Sequence, residues 1–411
     1  MINRTLSLGA LLLLVSVDSQ AGALDAVDFN GRLETRQAVT REGEWGLDEY
    51  SALLGSAWQG ESGWRLKAQV RALQENKLDG DYHEIEPREL FAEYQGERCT
   101  STVGVQQVVW GSADRLRVLD VIHPFDRREG YFGDYVQQRR PLAMLNSECS
   151  VFEDQSLQVL LIPQTRKDLL PASDGRFAEP RVNDLLTGVP RSEASDPDWR
   201  KPADWTPALR WSGNAAGIDY SLNAWHGWQT EDTLTPQLTR SGLSYREQLQ
   251  RRTLFGGSFA VPVGPVVVKG EAALTPDAYR YYQAQTGIVD VKKNRQQQLL
   301  LGVDYLTGDW FFGVQYYNLW KDDVDQALDQ DRSEIVSLAI RREMLQGRLY
   351  LTAYLAQDLR QSAQYAALEM RYDLDAHWQL RSGLDVFDGS RSSFGYYEEQ
   401  SRWVNAVRYS F

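Results

Sequence analysis

The chain has 411 residues, of which 42% are hydrophobic and 25% charged, and its formal net charge is −13. That acidic balance argues against nucleic acid as a partner, since general nucleic-acid binding uses a basic face. Beyond the N-terminus no apolar run approaches the roughly eighteen residues of a membrane-crossing helix, so a helical membrane protein is excluded as well.

In chain order, the first element is a leader. "MINR" is a short basic region, "TLSLGALLLLVSV" a short apolar core, and Ala21-Gly22-Ala23 supplies small residues for cleavage. Together they make a secretory signal peptide over 1–23, with 24–411 as the exported domain. Two cysteines, Cys99 and Cys149, are an even count for an oxidising compartment and are expected to form one disulfide.

From Val27 onward the hydrophobic period is two. In "GWRLKAQVRAL", Trp64, Leu66, Ala68 and Val70 alternate with Arg65, Lys67, Gln69 and Arg71. "QQQLLLGVDY" sets Leu299, Leu301 and Val303 against Gln298, Leu300, Gly302 and Asp304, and "AALEMRYD" and "HWQLRSGLDV" behave alike. These are amphipathic strands of roughly ten residues, the length that crosses a bilayer at a tilt. Short turns are expected near 59–63, 95–99, 149–150, 213–216, 261–265, 306–309, 345–347 and 373–377. Longer polar connections are expected near 37–47, 74–87, 164–205, 230–246, 275–294, 321–333 and 388–400.

Tight connections at one end and loose ones at the other are the mark of an antiparallel transmembrane β-barrel, here of about eighteen strands with sixteen as the alternative count. Aromatics flank the short turns (Trp58 and Trp64, Tyr305 and Trp310, Tyr372 and Trp378), where an interfacial girdle belongs. A β-helix would need a short fixed repeat and a propeller repeating blades; the sequence has neither. A barrel in lipid has no open edge, so "VDFNGRLETR" should pair with 402–411.

Residues 111–140 break the rhythm. They are apolar in places ("RVLDVI") and dense in charge: Arg115, Arg117, Arg127, Arg128, Arg139 and Arg140 against Asp114, Asp120, Asp126, Glu129 and Asp134. A loop with its own hydrophobes and paired charges suits packing inside the lumen as a constriction or plug, with a cap on the rim as the alternative. Removing 113–138 should then raise single-channel conductance. Cys99 at the start of the fifth strand and Cys149 at the end of the sixth would clamp the neck of this segment.

The polar faces, turned inward, give the expected pore lining. Its bases are Arg32, Arg36, Arg65, Lys67, Arg71, Lys269, Arg371, Arg381, Arg402 and Arg408. Its acids are Glu34, Glu89, Glu93, Glu271, Asp304, Glu369 and Asp385. The excess of bases points to mild anion preference, because charged rings select ions by sign. A mixed wall of paired charges without selectivity is the equal alternative. Catalytic signatures are missing: no GxSxG, HExxH, CxxC or phosphate-binding glycine loop, and His83, His123, His226 and His377 are scattered without metal spacing. No cofactor is expected, and the chain is read as non-enzymatic.

The C-terminal strand resembles that of outer-membrane β-barrels, which end in an aromatic residue with apolar residues at alternate preceding positions. Here these are Phe411, Tyr409, Val407 and Trp403, with Asn405 departing from the series. The resemblance implies the outer membrane of a Gram-negative bacterium, contact with its lipid, and recognition of this strand by the barrel-assembly machinery. A second stretch, "VVWGSADRLRVLDVIHPFDRRE" followed by "RRPLAMLNSEC", is similar to a segment of poorly characterised proteobacterial barrels. It is carried by Trp110-Gly111, Asp114, Val118 to Val121, Pro124 and Asp126, and it implies a porin-like barrel without naming a substrate. The leading functional expectation is a channel for small polar or anionic solutes. An export or envelope-assembly component with a periplasmic partner is the second reading, and a membrane-embedded hydrolase the third.

Overall fold

A strand that is apolar on one face must find a second layer or belong to a sheet that closes on itself. Here the sheet closes. The computed structural model describes residues 27–411 apart from 61, 79, 112–114, 131, 181 and 391–392; the expected leader, 1–23, and Asp114 lie outside the described residues.

One antiparallel barrel of eighteen strands is formed. Its strands are β1 (Val27–Thr40), β2 (Trp45–Gln59), β3 (Trp64–Glu75), β4 (Tyr82–Gln95), β5 (Cys99–Gln106), β6 (Leu142–Phe152), β7 (Gln155–Ile162), β9 (Thr206–Ala215), β10 (Ile218–Trp228), β13 (Arg251–Val263), β14 (Val266–Gln283), β15 (Val289–Thr307), β16 (Trp310–Lys321), β17 (Arg332–Met344), β18 (Leu349–Asp358), β19 (Ala363–Asp373), β20 (Trp378–Gly389) and β21 (Arg402–Ser410). A three-stranded sheet of β8 (Arg191–Glu193), β11 (Thr233–Thr239) and β12 (Gly242–Gln248) stands apart.

The seam is β1 against β21, in register from Arg32↔Ser410 to Thr40↔Arg402. Beyond it, Gly31 and Phe411 exchange backbone hydrogen bonds of 2.9 and 3.0 Å. A Cβ on Gly31 would lie 2.2 Å from the Phe411 ring, so the missing side chain is what lets the last residue lie across the first strand.

Exposed apolar side chains recur around the outside: Leu66 and Val70 on β3, Val103 on β5, Leu222 on β10, Phe255 on β13, Leu301 and Val303 on β15, Leu384 and Val386 on β20, Trp403 and Val407 on β21. A band of this extent is a surface for lipid, not water. Paired rings mark its short-turn edge, Trp64 with Tyr94 at 5.0 Å and Trp378 with Tyr409 at 4.8 Å. The molecule is a transmembrane barrel of the outer-membrane type. Its short turns, the start of β1 and the end of β21 share one rim, the periplasmic one in such barrels.

Several expected connections differ. At 37–47 there is no long loop, because β1 and β2 meet in a turn at 41–44. At 275–294 the chain stays extended: β14 has 18 residues and β15 has 19, and the hairpin stands well above the bilayer. Polarity on both faces marks where lipid ends, not where pairing ends, which is why the sequence reads as loop there. The same holds at 230–246, where β11 and β12 form a hairpin, and at 164–205, which contributes β8 parallel to β12. The turn expected at 149–150 lies at 153–154, with Asp154 at φ 60°, a conformation Asp tolerates better than most residues. A further turn at 359–362 carries no Pro or Gly, and the sequence breaks do not include it.

Candidate functional site

The interior is built from alternate residues of the barrel strands and from the segment between β5 and β6. That segment starts on the wall. Trp110 is buried and donates its indole N–H to Gln158 at 2.8 Å. Val118, Leu119 and Ile122 then pack with Leu160, Ala208, Leu254, Ala273 and Leu300, all on the inner face of one side of the barrel. Gly256 makes the seat, since a Cβ there would meet Leu119 Cδ2 at 2.4 Å. On the opposite side Phe132 lies among Phe177, Tyr365, Phe387 and Tyr397. The segment thus packs against β7, β9, β13, β14 and β15 through Val118, Leu119 and Ile122, and against β19 and β20 through Phe132.

Polar contacts brace it. Asp134 caps the short helix α1 (Tyr135–Gln138). Arg71 and Arg88 donate to the Gln137 and Val136 carbonyls at 3.1 and 3.0 Å. Asp120 is a hub, accepting from Arg139 at 2.6 Å and from the Tyr135 hydroxyl at 2.7 Å, while Arg117 donates to its carbonyl at 2.6 Å. Burial pushes the Asp120 carboxyl up, but Arg117 and Arg139 outweigh it and the net shift is downward. Arg128 pairs with Asp126 at 2.6 Å within the segment itself, and Arg127 ties it to Asp168 (3.5 Å) and Glu231 in the long connections. Arg140 reaches Glu84 at 3.3 Å. His123 is buried, accepts at Nε2 from the Val108 N–H (2.8 Å) and lies 3.0 Å from the Arg140 carbonyl at Nδ1. With the proton on Nδ1 both contacts are satisfied by the neutral ring, and burial pushes its pKa down to about 3.

The expected wall bases each have a carboxylate neighbour. Arg32 (3.7 Å), Arg408 (2.8 Å) and Arg381 converge on Glu34. Glu129 of the segment receives Arg36 at 2.7 Å and Arg402 at 2.6 Å, and Arg402 also holds Asp385 at 2.9 Å. Burial pushes Glu129 up, yet the two guanidiniums prevail and its pKa lies at about 2. Arg65 faces Glu93 at 3.7 Å, Lys67 pairs with Glu89, Arg71 is 3.3 Å from Glu86, and Lys269 is 2.8 Å from Asp304. Glu271 accepts from the Leu119 N–H at 3.3 Å. Arg371 is 3.9 Å from Asp373, and Glu369 borders a cavity. The expected excess of bases therefore does not translate into free charge on the strands, because each of those bases has a carboxylate neighbour.

Sequence alternation missed Glu84, Glu86 and Arg88. Between Gln69↔Glu89 and Val70↔Pro87 the β3–β4 register shifts, so Arg88 is an extra residue and the facing of β4 inverts above it. Glu86 is buried under Arg88 (2.8 Å) and Arg166 (2.9 Å). Pro87 was the readable signal, because a proline inside a strand goes with a bulge or an edge.

Two cavities flank the segment. The upper one, about 760 Å³, is bordered by Arg115, Arg117, Arg127, Arg252, Phe132 and Tyr365 among others and opens toward the long loops. The lower one, about 280 Å³, is bordered by Arg36, Arg115, Phe132, Glu369, Arg381 and Arg402. Arg115 and Phe132 border both. Arg115 donates to the Tyr365 hydroxyl at 3.1 Å and lies over the Tyr354 ring at 5.1 Å. Tyr365 in turn donates to Asp385 at 2.8 Å. Cys99 and Cys149 sit opposite each other in the β5–β6 register and are disulfide-bonded. Among the described residues no cluster of three or more His, Cys, Asp or Glu is arranged to hold a metal.

No protein-family model and no curated protein sequence matches the chain. Solved structures do share the fold. Pseudomonas aeruginosa OccK5 (OpdH) superposes with a TM-score of 0.54 at 12% identity, over 95% of this chain and 99% of that one. P. aeruginosa OccK2 (OpdF) gives 0.51 at 11% identity, over 94% and 96%, and P. aeruginosa OpdL gives 0.51 at 11%, over 94% and 98%.

Proposed function

We propose that the chain is an outer-membrane channel for small anionic solutes, which enter the upper cavity, pass Arg115 and Phe132, and leave through the lower cavity. One observation carries the reading. Among the described residues, Arg115, Arg117 and Arg252 have no carboxylate within ion-pair distance, although all three border the upper cavity. The acids bordering that cavity are engaged: Asp120 by Arg139, Asp168 and Glu231 by Arg127, Asp232 by Lys167 at 2.8 Å, and Glu179 by the Tyr397 hydroxyl. Guanidiniums without a direct carboxylate contact, in a narrow space of low dielectric, attract anions more strongly than their number suggests. The P. aeruginosa OccK2 structure in complex with glucuronate shows a barrel of this fold holding a small carboxylate. In this reading the segment 111–140 is the constriction, with Arg115 the residue nearest the passing ion.

Planar-bilayer recording tests it. The purified protein should conduct, its reversal potential in a salt gradient should have the sign of anion preference, and Arg115→Glu should move it toward cations. A protein without conductance overturns the channel, and a reversal potential of cation sign overturns the anion preference.

A further inference from the structure

Arg115 stands between the two cavities with its backbone at φ 62°, a left-handed conformation that residues other than glycine seldom adopt. Such a residue persists where its surroundings over-determine it. Rings and a hydroxyl supply the hold on its side chain. The guanidinium lies 5.1 Å from the Tyr354 ring centre and 5.9 Å from that of Tyr365, and Nη1 donates to the Tyr365 hydroxyl at 3.1 Å.

The direction of that bond is fixed. A tyrosine hydroxyl has one proton, and Tyr365 gives it to Asp385 Oδ1 at 2.8 Å. Toward Arg115 it can only accept. Asp385 is oriented in turn, because its Oδ2 accepts from Arg402 Nε at 2.9 Å, and Arg402 Nη2 donates to Glu129 at 2.6 Å. The contacts therefore leave the inserted segment at Arg115, pass through β19, β20 and β21, and return to the segment at Glu129. The Tyr365 ring cannot turn to another partner: it is 2% exposed, stacked on Phe387 at 5.0 Å and packed against Phe132 at 4.8 Å.

This arrangement separates position from charge. A carboxylate in place of the hydroxyl would hold Arg115 firmly and would also cancel its field. A neutral hydroxyl, oriented by a carboxylate one hydrogen bond further away, holds the guanidinium and leaves its charge to an incoming solute. We infer that Tyr365 is a positioning residue for selectivity: its hydroxyl keeps the Arg115 guanidinium between the upper and lower cavities without neutralising it. The inference rests on the anion-channel reading and names what makes Arg115 effective there.

Tyr365→Phe deletes one oxygen and keeps the stacked ring, so it isolates the contact, and Asp385 retains Arg402. The test is the reversal potential in a salt gradient for the wild type, Tyr365→Phe, Arg115→Gln and the double variant. Urea midpoints and a crystal structure of Tyr365→Phe accompany it. A hydrogen bond to a charged group is worth roughly ten-fold in the population of the held rotamer. Tyr365→Phe should therefore lose most of the anion preference that Arg115→Gln loses. The double variant should match Arg115→Gln, because the hydroxyl acts through that guanidinium alone. The urea midpoint of Tyr365→Phe should barely move. Its structure should show the guanidinium withdrawn from the Tyr354 ring, with the Glu129–Arg402 pair intact. Additive losses in the double variant, an unmoved guanidinium, or a broken Glu129–Arg402 pair would each overturn the role of Tyr365. A wild type without conductance, or Arg115→Gln at the wild-type reversal potential, would overturn the channel reading of Arg115 and this inference with it.

Discussion

Acid is the perturbation that should release the inserted segment, in two separable steps. His123 is neutral and fully used in the docked segment, with Nε2 accepting and Nδ1–H donating. An undocked segment would return it to its ordinary pKa of 6.5, against about 3 when docked. The lowered value means that its contribution is complete above pH 6.5 and is lost as pH falls toward 3. The loss grows by about 1.4 kcal/mol per pH unit, so roughly 3 kcal/mol is gone at pH ~4.5 and a little over ~4 kcal/mol at pH ~3. Glu129 starts from an ordinary 4.5 and stands at about 2 in place. Its contribution is complete above pH 4.5 and disappears below it, adding about 3 kcal/mol of loss by pH ~2. Between pH 6.5 and 4.5 His123 is thus the group to follow, and Glu129 joins only below 4.5. Single-channel recording between pH 7.5 and 3.5 should show rising current noise and higher-conductance openings from about pH 5.5 downward, within the window these shifts define. In His123→Gln the first step should disappear. Identical traces at neutral pH and at pH ~4.5, or the same transition in His123→Gln, would refute the account.

Other perturbations act on the same docking. Glu129→Gln leaves Arg402 with Asp385 alone and removes the carboxylate that Arg36 and Arg402 share; breaking such a buried arrangement costs about 3–5 kcal/mol, and should appear at pH 7 as increased conductance or open-channel noise. Leu119→Ala empties the seat against Gly256 and should loosen the segment by about 2–5 kcal/mol, read by the same recording, whereas a variant trace as quiet as the wild type would contradict the packing. Replacing Cys99 and Cys149 by Ser opens a loop whose ends are 50 residues apart; on chain entropy the barrel should lose about 4 kcal/mol, measured as a lower urea midpoint in micelles, while still closing.

The barrel was legible in the sequence because lipid imposes a simple rule: one apolar face per strand, no open edge, tight turns on one side. Trp403, Val407 and Phe411 outward and Arg402 inward follow from that rule alone. The rule ends at the headgroups. Above them β14 and β15 continue in water, and β11 and β12 pair outside the barrel, held by Leu234, Tyr245 and Val289 in a small cluster of their own. Polar alternation there looks like loop because no solvent contrast exists to pattern it. The partners of the charges on the polar faces were not legible. Period two names Arg71 as inward, but it is the extra residue at Arg88 that brings Glu84 and Glu86 to the same face. Long-range pairs such as Glu129 with Arg402 join residues 273 apart and leave no local trace.

The lumen arginines divide into two kinds with opposite expected phenotypes. Arg402 is buried between Glu129 and Asp385, so removing it leaves Asp385 without a guanidinium and Glu129 with Arg36 alone, and should first be felt as instability of the segment. Arg252 borders the upper cavity, rests 5.7 Å from the Trp225 ring centre, and compensates no carboxylate among the described residues. Removing it strands nothing, and the barrel should keep its stability while the field at the cavity mouth weakens. Arg252→Gln should therefore shift the reversal potential at unchanged urea midpoint, and Arg402→Gln should lower the midpoint and raise the noise before selectivity changes. The reverse assignment of phenotypes would mean that ion pairs, not unpaired guanidiniums, set the charge an incoming solute meets. The acidic total of the chain has little say in that field. The ten bases expected on the pore wall are matched by carboxylates, much of the remaining acid lies in loops exposed to screening salt, and Arg252 is among those left over inside.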